Sequence, residues 1–246
     1  MTPAETLDGS TAITLQYPKT AWLGGMIALA FIAPIAVAAL IWSVAILIAG
    51  GDPAFVVILV LLGAFMASLC LYLGHDALGK LRWSIRIGER TITLHLPAHR
   101  SITHKPKGLR DDIGRDEIDG IEARLEGYTS FGLANLQRCF AIRLRDGRRI
   151  ILAEDRALRT GLAKPVVSTL VRRLADSLSL EIEEKPMVRG SGGILGVWLV
   201  RAPDWNAEPL NEEAARRMLK RVDLTGKIVA FAPILVIALS LIGLLI

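Results

Sequence analysis

Three of the four histidines lie close together in the sequence, at positions 95, 99 and 104. Imidazole is a common metal ligand, but a metal site needs its ligands to converge on one face with further groups orienting them. His95 lies on the polar side of an alternating segment, whereas His99 and His104 lie in a polar stretch, where side chains are usually solvated. We therefore expect solvated histidines, with no metal ion and no cofactor.

The stretch Gly-Ser-Gly-Gly at residues 190–193 invites two enzymatic interpretations. A phosphate-binding loop continues into Gly-Lys-Ser or Gly-Lys-Thr, and no lysine follows directly here. A serine nucleophile elbow has Gly-x-Ser-x-Gly spacing, whereas both neighbours of Ser191 are glycines. Cys139 falls inside an alternating segment and carries no sign of an activated thiol. We expect a flexible turn and a packing cysteine, and we predict that the protein is not an enzyme.

Acidic side chains are concentrated at two places. The first, residues 111–117, does not have its glycine and glutamate at the spacing of a calcium-binding loop, so we expect a solvated acidic loop. The second, Glu154 and Asp155, has the composition of an acid–base pair. It lies between a predicted strand and a predicted helix, where helix capping and surface ion pairing are the usual roles.

Three long runs of the chain contain no charged residue and no histidine, at residues 22–49, 54–73 and 228–246. About 20 apolar residues suffice to cross a bilayer, and the core helix of a soluble protein carries charge on one face. The first run is too long for a cleavable signal peptide. Residues 50–53, Gly-Gly-Asp-Pro, make a tight turn between the first two runs. The sequence therefore predicts three transmembrane helices, the first two forming a hairpin.

The distribution of basic residues predicts the orientation of these helices. Every lysine and arginine except Lys19 lies between Lys80 and Lys227, and residues 50–53 contain none. The positive-inside rule then predicts a multi-pass protein of a bacterial inner membrane, with the N-terminus and central domain in the cytoplasm and the C-terminus in the periplasm. The net charge of +5 mainly reflects this topology, and because acids are interleaved with the bases we expect no nucleic-acid partner. The spans lack ionisable groups, which argues against a pump, ion channel or proton-coupled carrier acting alone.

The remaining polar sequence predicts a domain of mixed structure. Alternating apolar residues predict strands at residues 83–87, 91–96, 117–125, 139–144 and 149–152. Asp146-Gly147 predicts a hairpin turn, residues 97–116 a loop or short edge strand, and helical spacing a helix over 160–179. The predicted fold class is an integral membrane protein with three transmembrane α-helices and a cytoplasmic α+β domain. Its segments are a polar N-terminal tail (1–21), the hairpin (22–73), the domain (74–180), a connector with a strand or amphipathic helix (181–226) and the third transmembrane helix (227–246).

This order of elements resembles one family. Residues 83–85, 118–121 and 142–151 with Asp146-Gly147, followed by the helix after Gly161, are similar to the bacterial pleckstrin-homology-like (PH-like) membrane proteins. The resemblance covers residues 75–180 and implies a curved sheet or small barrel closed by a C-terminal helix. The photosynthetic-complex assembly proteins are similar in having three spans around such a domain, although their Trp-Gln-Gly stretch before the first span is absent here.

Three functions follow as hypotheses. The first is a non-enzymatic, membrane-anchored interaction or assembly module that binds a membrane-protein partner or a second copy of the chain. Its contacts would involve exposed sheet edges and the small residues of the second span, Gly63, Ala64, Ala67 and Ser68. The second is a sensor of phosphoinositide-like or other anionic lipid head groups in the bilayer. Its candidate residues are Arg82, Arg86, Lys105, Lys107, Arg216, Arg217, Lys220 and Arg221. The third is an accessory subunit of a membrane enzyme or transporter complex, including a photosynthetic-complex assembly factor.

Overall fold

The computed structural model describes residues 12–98, 100–101, 103–130, 133–156, 165–191, 200 and 202–245. Two long helices, α1 (Lys19–Ile48) and α2 (Pro53–Arg82), form the predicted hairpin. Asp52 caps α2 by accepting a hydrogen bond from the amide of Ala54 at 2.9 Å, and Pro53 occupies the first helical position, where its missing N–H does no harm. A Cβ atom on Gly63 would lie 2.8 Å from the Leu40 side chain, so this glycine allows the two helices to approach closely.

Both helices of the hairpin are long and apolar enough to cross a membrane, and most of their large apolar side chains are exposed. Phe31 and Ile48, for example, are 73% and 81% exposed. The third predicted span lies in a last helix, α4 (Glu212–Leu245), which continues unbroken through that run. Most side chains of that run lie outside the described residues, and the third span therefore stays a prediction.

The first sheet, sheet A, joins chain segments from both sides of the hairpin. It contains β1 (Ile13–Gln16), β2 (Ser84–Ile87), β3 (Thr91–Leu96) and β4 (Leu109–Gly114), all antiparallel and in that order. Because β1 precedes α1 and β2 follows α2, the hairpin is inserted between two paired strands. The assignment of residues 1–21 to a polar tail is therefore wrong for residues 13–16. Alternation over only four residues was too short to reveal this strand.

The second sheet, sheet B, has the order β7-β6-β5-β8. A short 3₁₀ turn (Arg115–Glu117) leads into β5 (Ile118–Ser130), which is followed by β6 (Leu133–Leu144), β7 (Arg149–Arg156) and β8 (Ile182–Arg189). Gly147 has φ 85°, as the predicted hairpin turn requires. The last strand, β8, pairs parallel with β5 after the chain has passed through helix α3 (Val166–Leu178).

The main core lies between the two sheets and one face of α3. Asp155, at the end of β7, caps this helix by accepting hydrogen bonds from the amides of Val167 and Ser168 at 3.0 and 2.6 Å. Trp83 is buried between α2 and β2, where its Nε1 donates to the Leu152 carbonyl at 3.0 Å. These contacts join the membrane hairpin to the centre of the domain.

Two parts of the segment expected to be a connector with a strand and an amphipathic helix, residues 181–226, belong to the domain. Its β8 strand belongs to sheet B, and Met218 and Val222 of α4 pack against Ala134 and Leu136 of β6 in a second apolar cluster. Asn211 caps α4 by accepting from the Ala214 amide at 2.9 Å. The boundary after residue 180 was wrong because a parallel strand pairing depends on distant partners that local alternation does not encode.

Candidate functional site at the end of the second helix

A surface cleft of 450 Å³ lies where the end of α2 meets sheet A. Its volume falls within the range of about 300–1,000 Å³ that is typical of small-molecule sites. Apolar side chains and backbone form most of its wall, and two arginines and a histidine supply its polar groups. The side chains used below are Leu78, Arg82, His95, Pro97, Ala98 and Arg110.

Strand register brings the basic residues of the cleft together. His95 and Arg110 are direct partners on β3 and β4, so their side chains project side by side from the outer face of sheet A. His95 also pairs with Ser84, two residues after Arg82 at the end of α2. Both arginines are exposed, and no carboxylate within the described ranges lies within ion-pair distance of either. No acidic residue lines the cleft, which is therefore cationic.

The β3–β4 loop, residues 97–108, forms one wall of the cleft, and Arg100 fixes its shape. The guanidinium Nη1 donates to the carbonyls of Pro97 at 2.8 Å and Lys107 at 2.7 Å, at the two ends of the loop. Nε donates to the Ile151 carbonyl of β7 at 2.9 Å. Burial lowers the pKa of Arg100 to about 10, against the opposing effect of Glu154, so the side chain remains charged at neutral pH. One arginine thus closes the loop and ties it to sheet B.

The far side of the same loop covers a buried polar cluster on sheet B. His104 is completely buried, with Nδ1 2.8 Å from Glu154 Oε1. The hydroxyls of Ser101 and Thr103 donate to the same carboxylate, each at 2.7 Å. Contrary to the sequence-based expectation, His104 is not solvated and Glu154 is not a surface residue. Asp155 does have the expected capping role.

A second buried carboxylate, Glu126 on β5, extends this cluster. The guanidinium of Arg124 donates to it through Nε at 3.1 Å, and the Tyr128 hydroxyl also donates. His104 Nε2 lies 3.9 Å from Glu126 Oε2, too far for a hydrogen bond, and this buried nitrogen has no hydrogen-bond partner among the described residues. Burial, reinforced by nearby acids, raises the pKa of Tyr128 well above its ordinary value, which keeps the phenol protonated as a donor.

The Cys139 thiol lies beside this cluster and is held in its protonated form. Burial, followed by the charges of Glu154 and Glu126, raises the pKa of the Cys139 thiol well above its ordinary value, so the reactive thiolate is scarce at neutral pH. Within the part of the chain that the structure describes, no three His, Cys, Asp or Glu side chains are placed to hold a metal ion together. What the arrangement does is hold the loop on the sheet by hydrogen bonds.

The basic residues proposed from the sequence do not form one site. Arg82 lies in the cleft, and Arg86 lies on the same outer face of sheet A, opposite Thr93. The other six are exposed elsewhere: Lys105 and Lys107 on the loop, and Arg216, Arg217, Lys220 and Arg221 on α4, where Arg216 and Arg217 pair with Glu212 and Glu213. The cleft residues Arg110 and His95 were missed, although a predicted β3–β4 hairpin would have paired them.

The small residues of the second span face different ways. Gly63 is buried against α1, Ala67 is half-buried, and Ala64 and Ser68 are exposed. The Ser68 hydroxyl donates to the Ala64 carbonyl within its own helix at 2.8 Å. Only part of this stripe is therefore used inside the hairpin.

Comparisons of the chain with models of protein families, with characterised proteins and with solved structures give no match.

Proposed function

We propose that the chain is a non-catalytic binding module of a bacterial inner membrane, whose domain is held on the cytoplasmic surface to bind and help assemble a membrane-protein partner. The observation that carries this proposal is the insertion of the hairpin between two paired strands. The pairing of β1 with β2 extends from Ile13 opposite Ile87 to Gln16 opposite Ser84. Only two residues separate β1 from α1. A domain joined at two adjacent points has little freedom to turn relative to the helices.

Packing at the junction supports the same conclusion. The rings of Tyr17 and Trp83, which immediately follow β1 and α2, meet edge to face with centroids 5.3 Å apart. Both residues belong to the main core or pack against it, so bending at either connection would break core contacts. A domain with a fixed orientation presents the same face to every protein in the bilayer, at the high effective concentration that a shared membrane provides.

The cytoplasmic orientation and the PH-like character are part of the proposal. Pairing of β1 with β2 requires both ends of the hairpin to lie on one side, and the basic flanks favour the cytoplasmic side. The order of the elements supports the PH-like resemblance: a four-stranded antiparallel sheet comes first, then a three-stranded meander, then a helix. The hairpin after β1 and the added strand β8 are additions to that order. The protonated thiol of Cys139 favours binding over catalysis.

The test is to loosen the junction while leaving the fold intact. Six-residue Gly-Ser linkers inserted after Pro18 and after Arg82 would let the domain turn, because such linkers behave as flexible coils. A matched control carries one linker of the same length between Asp146 and Gly147, in an exposed turn. Each protein is purified from native membranes in mild detergent, and co-purifying membrane proteins are quantified by mass spectrometry.

We expect a defined partner with the wild type and the control, and its loss with the double insertion. Tryptophan fluorescence checks that each domain remains folded. Recovery of no partner with the wild type, or equal recovery with the double insertion, would contradict the proposal.

A further inference from the structure

We propose that the cleft binds an anionic phospholipid, with the phosphate between Arg82 and Arg110 and the glycerol end towards Leu78. This inference rests on the proposed function only in that the domain is held at the membrane surface. It assigns the cleft a ligand drawn from the bilayer itself.

Charge is the first argument. Two exposed arginines line the cleft without a carboxylate partner in the described part of the chain, and no acidic side chain shares its wall. Arginine presents a planar set of N–H donors that matches phosphate oxygens, and charge-assisted bonds of this kind are among the strongest in proteins. The adjacent His95 adds a further hydrogen-bonding group on the same face of sheet A.

Position along α2 is the second argument. The uncharged run of this helix ends at Leu73, and at 1.5 Å per residue Leu78 and Arg82 lie about 7 Å and about 13 Å further on. The head-group layer is roughly 5–8 Å deep on each side of the hydrocarbon. Leu78 is thus level with its outer part, and Arg82 lies within a side chain's reach of it.

The shape of the cleft is the third argument. Leu78 is 40% exposed, and it continues the apolar surface of α2 into the cleft. A lipid can therefore raise its head group into the cleft while its acyl chains remain in the bilayer. The opposite wall, at Pro97 and Ala98, is held in place by Arg100. A wall fixed before binding lowers the entropic cost of binding.

The experiment uses the full chain in mild detergent with equal amounts of palmitoyl-oleoyl phosphatidylglycerol and the matching phosphatidylcholine. Native mass spectrometry counts each lipid retained. The test variant is Arg82→Gln with Arg110→Gln, and the matched control is Arg216→Gln with Arg217→Gln, which removes the same charge from an exposed face of α4. A third protein, Ala98→Trp, keeps both arginines but fills the cleft.

We expect the wild type and the α4 control to retain phosphatidylglycerol about tenfold more than phosphatidylcholine, because both lipids carry the phosphate but the two arginines of the cleft repel the choline cation of the second. The Arg82/Arg110 variant and Ala98→Trp should lose that preference. An unchanged preference in the Arg82/Arg110 variant would overturn the proposal, as would an equal loss in the α4 control, which would indicate general charge attraction. Partner recovery in the linker experiment is a separate readout, so the two proposals fail independently.

Discussion

Replacing Glu154 with leucine is expected to release the β3–β4 loop from sheet B. The Glu154 side chain is 1% exposed and accepts from Ser101, Thr103 and His104. Leucine leaves all three buried groups without their acceptor. Leaving a buried hydrogen-bonding group without its partner costs about 1–3 kcal/mol, and we take about 3 kcal/mol in all for the three groups, because the loop can open to water. A free-energy change of about 1.4 kcal/mol changes an equilibrium constant tenfold, so a loss of about 3 kcal/mol means that the loop opens about a hundredfold more often.

Hydrogen exchange measures this opening directly. The His104 amide donates to the Ser101 hydroxyl at 2.8 Å and the Lys105 amide donates to the Val200 carbonyl at 2.7 Å, so both amides exchange only when the loop opens. In Glu154→Leu, peptides spanning residues 97–108 should exchange about a hundredfold faster by mass spectrometry. Glu154→Gln keeps an acceptor oxygen and should change exchange by less than about tenfold.

The control is Glu184→Leu, which removes an exposed carboxylate from β8 of the same sheet. Exposed ion pairs contribute about 0–1 kcal/mol, so loop exchange should be unaffected. Equal exchange in Glu154→Leu and the wild type would show that the polar cluster does not hold the loop. Equal acceleration in the glutamine and leucine variants would show that charge, and not the number of hydrogen bonds, sustains it.

Three further predictions concern the hairpin, α3 and the buried thiol. Gly63→Leu should lower the thermal unfolding temperature by several degrees, because the leucine side chain would clash with α1. Gly24→Leu should leave that temperature unchanged, because there is open space around Gly24. A thermal shift assay in detergent compares the two variants. Asp155→Ala removes both capping bonds of α3 and should cost about 1–2 kcal/mol, measured by denaturant unfolding of the full chain, and no loss would refute the cap. Because the pKa of Cys139 is raised, its thiolate is scarce at pH 8 and becomes more abundant only at higher pH. Maleimide should therefore label Cys139 only after denaturation. Rapid labelling of Cys139 in the folded protein would contradict its burial.

Elements with a strong local pattern were predictable from the sequence. Charge-free length gives α1 and α2, and Asp146-Gly147 between alternating segments gives the β6–β7 hairpin, because each signal depends on neighbouring residues. In contrast, β1 is four residues long and its partner follows the whole hairpin, while β8 pairs parallel with a strand before α3. Such pairings are set by tertiary packing.

The buried polar cluster shows a second limit of sequence patterns. Arg124, Glu126 and Tyr128 share one face of β5, although the predicted strand ended at residue 125, and polar residues on one face normally predict exposure to solvent. Here that face is buried, because the β3–β4 loop covers it and the Trp205 ring lies 4.4 Å from the Arg124 guanidinium. The alternation of residues along a strand indicates which side chains share a face. Only the rest of the fold determines whether that face is covered.

If the hairpin crosses the membrane as we propose, the placement of β1 makes completion of the domain conditional on that insertion. As the chain leaves the ribosome β1 emerges first, but its partner β2 appears only after both long helices have been made. If α1 and α2 failed to cross and return, the two strands would be left on opposite sides of the bilayer or far apart, and Leu15 would lack its place in the core. The domain can therefore complete its fold only when the hairpin has the correct topology. A misinserted copy keeps an unpaired strand that quality-control proteases can recognise.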